Sequence, residues 1–118
     1  MLKFQTTLKT EQIARTCWKL TDNLVYGNIV VPKGFITNYA SIAVFHNILL
    51  FPIYALFAGY GNYASTLHDY LYTKHQVSRK QADRIFYEAL REEGVAKWRA
   101  WLMWVGVRLG GKKAYEGK

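Results

Sequence analysis

The chain has 118 residues and a net charge of +8, with 51% hydrophobic and 16% aromatic residues. That composition excludes a disordered tail and leaves room for one core, so a single domain over 1–118 is expected. The basic balance favours anionic partners. One cysteine, Cys17, excludes an internal disulfide and a cysteine-based zinc cluster.

In chain order, the N-terminal third reads as strands. Arg15–Leu20, Leu24–Tyr26 and Asn28–Val31 are rich in β-branched and aromatic residues. Gly27 marks a tight turn or bulge, and Thr21-Asp22-Asn23 is turn chemistry. Pro32-Lys33-Gly34 ends this mainly β part, 1–34. Phe35–Ser41 reads as a polar connector in which Asn38 or Ser41 caps the helix that follows. The stretch from Ile42 to Ala58 is the most apolar. It is shorter than the ~20 residues that a spanning helix needs, and it contains His46, Asn47 and Pro52. A buried, proline-kinked helix is expected there, with membrane contact as the alternative. The first residues lack the apolar core of a signal peptide, so export by that route is not expected.

Three more helices follow, making 42–110 mainly α. One runs roughly from Tyr63 to Lys74. The next opens on the capping-box pattern Ser78-Arg79-Lys80-Gln81, repeats Ala82, Ile85, Phe86, Ala89 and Leu90 at helical spacing, and stops at Gly94. The last, Ala96 to Leu109, places Trp98, Trp101, Leu102, Val105 and Leu109 on one face, after which the chain is expected to fray. Strands first and helices after give an α+β fold: a small antiparallel sheet followed by about four helices with a central antiparallel hairpin.

The chemistry concentrates in Thr66-Leu67-His68-Asp69-Tyr70-Leu71-Tyr72. Neighbouring His68 and Asp69 diverge by about 100° on a helix and do not bond each other. Asp83, on the next helix, lies at nearly the same height as His68 in an antiparallel hairpin, within ~3 Å at ~1.5 Å rise per residue. It is placed to accept the Nδ1–H of His68, leaving Nε2 as a general base. Asp69 would then be available to a cation, and Tyr72 could hydrogen-bond Asp83. The same residues also suit a structural polar network that sets helix register. His46 reads as a core residue, His75 as a helix C-terminal charge, and the three dispersed histidines give no zinc pattern.

The last third is basic, with Lys97, Arg99, Arg108, Lys112, Lys113 and Lys118 interleaved with Trp98, Trp101 and Trp104. Rings at helical spacing suit core packing, while rings among cations suit a membrane interface or single-stranded nucleic acid. Lys80, Arg84 and Arg91 read as a solvated face paired with Glu88 and Glu92.

Three motifs carry a family resemblance. Val31-Pro32-Lys33-Gly34-Phe35-Ile36-Thr37-Asn38-Tyr39-Ala40-Ser41, His68-Asp69-Tyr70-Leu71-Tyr72 and Ala82-Asp83-Arg84-Ile85-Phe86 occur in the order seen in a phage and prophage family, domain of unknown function 1353. The chain resembles that family from about Val31 to Leu90. It departs at Asn38, where the family usually has Asp, and at Ala43, which stands where a proline often follows Ala-Ser-Ile. The resemblance implies a phage or prophage gene product in the host cytoplasm or the virion, with other phage proteins or a second copy as partners. The hairpin is also loosely similar to secreted phospholipases that cleave the sn-2 ester. That likeness implies His68 as water-activating base, Asp69 as calcium ligand, and Tyr72 with Asp83 as support. The apolar Leu49-Leu50-Phe51-Pro52 stands where those enzymes carry a glycine-rich calcium loop.

Three functions are therefore expected. The favoured one is a phage accessory or virion-associated protein that binds a phage protein or an anionic partner, such as a lipid surface before nucleic acid, with His68, Asp69 and Asp83 as scaffold and Asn38 and Ser41 as further polar positions. The second is a metal-assisted hydrolase of lipid or cell-envelope esters. The third is an inhibitor that binds a host defence system.

Overall fold

The computed structural model describes residues 3–15, 17–37, 61–110 and 112–116. Five strands come first: β1 (Thr10–Ala14), β2 (Cys17–Leu20), β3 (Leu24–Tyr26), β4 (Ile29–Val31) and β5 (Ile36–Thr37). They form two antiparallel ladders rather than one. β2 is central to the order β1-β2-β5, and β3 pairs with β4. The β3–β4 hairpin pairs Tyr26 with Ile29 across Gly27 and Asn28, with Gly27 at φ 59°. A two-residue turn of the hand that matches strand twist needs positive φ, which glycine adopts without strain. β1 is largely exposed and polar, so its sequence lacks the alternation that marks a half-buried strand. β5 extends the strand region beyond Gly34, into the expected connector, because Trp18 and Lys19 of β2 pair with Thr37 and Ile36.

The helices are α1 (Asn62–Lys74), α2 (Arg79–Glu92), α3 (Lys97–Gly110) and the short α4 (Lys112–Glu116). Three long helices thus stand where about four were expected. The remaining one, Ile42–Ala58, lies outside the described residues, as do His46, Asn38 and Ser41. The end of the chain is ordered rather than frayed over α4. The Tyr115 ring packs 5.1 Å from Tyr72 and stacks 4.2 Å from His75, and its hydroxyl donates to the Val77 carbonyl at 3.1 Å. One aromatic anchor outweighs the solvation of its charged neighbours.

α1 is the central element: Ala64 through Tyr72 are all buried. Its entry residue, Gly61, has φ 77°, and a Cβ there would lie 2.7 Å from Leu90 Cδ2 and 3.2 Å from the Met103 methyl. Only glycine lets α2 and α3 approach this closely. α2 begins with the capping box read from the sequence: Ser78 Oγ accepts from the Gln81 N–H, and the Gln81 side chain accepts from the Ser78 N–H. It turns Ala82, Asp83, Phe86, Ala89 and Leu90 inward.

α3 reverses the expectation. Its buried residues are Ala100, Met103 and Val107, whereas Trp98, Trp101, Leu102 and Leu109 are 53%, 54%, 37% and 82% exposed. The helix is apolar on both faces, so its periodicity fits two phases half a turn apart. The narrow space beside Gly61 is taken by the slender Met103 side chain, where an indole ring would not fit.

Candidate functional site

α1 has no side-chain cap of its own at Gly61. Glu93, just past α2, supplies one from outside: its Oε1 accepts from the Ala64 N–H at 2.9 Å. Burial raises the Glu93 carboxyl above its ordinary value of 4.5, opposed by the backbone N–H groups of Ala64, Tyr63, Gly61 and Asn62. A negative charge at a helix start satisfies otherwise unpaired donors and meets the positive end of the dipole. At its other end α1 stops at His75, whose left-handed backbone (φ 54°) sends its N–H back to the Leu71 carbonyl. His75 is therefore a cap that stacks on Tyr115. The tight α1–α2 bend sets the two helices antiparallel and level.

Across that bend His68 Nε2 lies 2.6 Å from Asp83 Oδ1. The Tyr72 hydroxyl donates to the same oxygen. Arg108 Nη1, from α3, donates to Asp83 Oδ2 at 2.8 Å. The predicted pairing of His68, Tyr72 and Asp83 is thus present, with one correction. The nitrogen that meets Asp83 is Nε2, not Nδ1, so Nε2 is not left as the base. Packed helices stand 8–10 Å apart, and the nitrogen farther from the backbone is the one that spans the gap.

Burial, the largest influence, pushes the Asp83 carboxyl up, but hydrogen bonds from His68, Tyr72 and Arg108 and the charge of His68 outweigh it and hold it below its ordinary value of 3.8. Asp83 is therefore a carboxylate and only an acceptor, which places a hydrogen on His68 Nε2. The Tyr72 hydroxyl is raised by burial and by its bond to that carboxylate. The side chains of His68 and Asp83 are 3% and 0% exposed. The His68 ring also lies 4.0 Å from Tyr72 and 4.7 Å from Phe86.

Arg108 is the residue that the sequence reading misplaced. Expected on an anion-binding surface, it turns inward to neutralise Asp83. Arg79 assists by donating to the carbonyls of Val107 (3.1 Å) and Arg108, the last turn of α3. The available signal was an acid on the inward face of α2, Asp83, whose expected partners, the His68 imidazole and the Tyr72 hydroxyl, carry no fixed positive charge; such a group calls for a cation. Asp69 is buried on α1. Among the described residues no group of three or more His, Cys, Asp or Glu side chains is placed to hold a metal ion. Lys97 and Lys112 are exposed as expected, Arg99 lies 4.8 Å over the Trp98 ring, and the Lys113 side chain and Lys118 are outside the described residues. Arg84 pairs with Glu88 at 3.3 Å, whereas Arg91 donates to the Val95 carbonyl.

Together these features define a small α+β protein whose helical hairpin encloses a buried His–Tyr–Asp centre that Arg108 of α3 closes from the side. The family described as protein of unknown function (DUF1353) matches residues 17–107, and the chain belongs to it. No curated protein and no solved structure matches the chain.

Proposed function

We propose that this is a phage or prophage accessory protein that works by binding, presenting α3 to an anionic partner while the His68–Asp83–Arg108 centre fixes the scaffold beneath it. The observation that carries this reading is the contrast between the two sides of α3. Inward, Arg108 closes a centre whose imidazole and carboxylate are almost fully buried. Outward, Trp98, Trp101 and Lys97 are exposed, and Lys112 of α4 is exposed beyond the helix end. A fully hydrogen-bonded buried network specifies helix register, whereas exposed aromatic and basic side chains supply contact energy and steering. Retention on a heparin column is the test. Elution that moves to lower salt when Lys97 and Lys112 are both replaced by Glu supports the reading, and passage without retention removes it.

A second reading, hydrolysis, is favoured by the set tautomer of His68, since a carboxylate-held imidazole is the usual form of a general base. Ester hydrolysis by the wild type that collapses in His68→Ala would establish it, and equal rates would retire it.

A further inference from the structure

The exposed side of α3 is a continuous apolar stripe. At 100° per residue, Trp98, Leu109, Leu102, Val105 and Trp101 fall within an arc of about 100°, opposite Ala100, Met103 and Val107. Four of the five are exposed and Val105 is half-buried. A helix that is apolar on both sides has a partner on each. The protein core is one. Lys97 flanks the stripe on one side and Arg99 on the other, the helix contains no acidic residue, and Arg108, on the Lys97 side, is engaged with Asp83. Lys112 extends the basic margin past its end.

This charge pattern decides between occupants. A second copy would set one basic margin against another. A partner that offers an apolar layer beneath a dense field of negative charge is needed, and one leaflet of an anionic bilayer has that layout: the stripe faces the acyl chains while cations on both margins of the helix reach headgroups of the same leaflet. Tryptophan is the ring that prefers this depth, with its apolar body inward and its N–H toward water.

We infer that α3 lies in the interface of an anionic lipid bilayer, with Trp98, Trp101, Leu102 and Leu109 inserted and Lys97, Arg99 and Lys112 on the headgroups. This rests on the binding reading above and names its partner. The attachment is peripheral: among the described residues no helix is long and apolar enough to cross a membrane. An apolar stripe with cationic margins binds a surface through buried area plus attraction to anionic lipid.

The experiment is co-sedimentation of the full chain with phosphatidylglycerol-rich vesicles and with pure phosphatidylcholine vesicles, read together with tryptophan emission. Expected are binding to the anionic vesicles, a blue shift, weakening with salt, and a loss of about tenfold or more in affinity for the Trp98→Ala/Trp101→Ala variant with unchanged circular dichroism. Equal binding to both vesicle types overturns the headgroup assignment. Heparin retention without vesicle binding overturns the lipid inference and leaves the binding reading standing. Failure of both assays ends both. A concentration-dependent dimer that ignores vesicles and is lost in the same variant assigns the stripe to a second copy and overturns the inference.

Discussion

Asp83, fully buried, accepts from an imidazole, a phenol and a half-buried guanidinium. Such a residue is costly to alter, because it and its His68 partner are already desolvated. Asp83→Asn keeps the shape but removes the charge that Arg108 faces and should lower unfolding free energy by about 3 kcal/mol in urea titration. Its carboxyl is held below 3.8 in the fold. A depressed acid contributes stability that is present above its unfolded value and disappears as pH falls through the folded one. The gap between wild type and Asp83→Asn should therefore be full near neutral pH and shrink below about pH 4. Glu93 has the opposite sign. Its carboxyl is raised by burial, so ionisation above 4.5 subtracts stability from the fold.

At the scale of elements, the same Glu93 explains how a helix without an N-cap of its own holds together. The four orphan donors at a helix start are usually met by a local N-cap side chain and by water. Here a residue 29 positions away reaches the Ala64 N–H. Removing the acceptor should matter more than removing the charge. Glu93→Ala is expected to cost about 2 kcal/mol, and Glu93→Gln, which keeps an accepting oxygen without a buried charge, well under half of that. Thermal unfolding of the two variants side by side checks the order. The local signals at Ser78 and Gly94 were legible because a capping box and a C-terminal glycine act within one turn. The cap on α1 was not, because its donor and acceptor meet only after α2 has folded back.

For the whole molecule, the two sides of α3 divide stability from binding. Met103 is fully buried beside Gly61, and Met103→Ala should cost about 3 kcal/mol by leaving a cavity. Trp101, more than half exposed, should change stability by less than about 1 kcal/mol when replaced by Ala. Its loss is expected to appear in binding alone. Equal destabilisation by the two variants would mean that the outer stripe is part of the core.

Much was determined by sequence alone. Strand-rich and helix-rich halves, the α2 boundaries and the level pairing of His68 with Asp83 follow from short-range rules: turn chemistry, capping, and a rise per residue that makes heights across a tight bend calculable. Tertiary structure decided the rest. Which imidazole nitrogen meets Asp83, which face of α3 turns inward, and that Arg108 neutralises a buried acid all depend on the gap between packed helices. That gap is set by contacts such as Gly61 against Leu90 and Met103, which join residues far apart in the chain and leave no local trace in it.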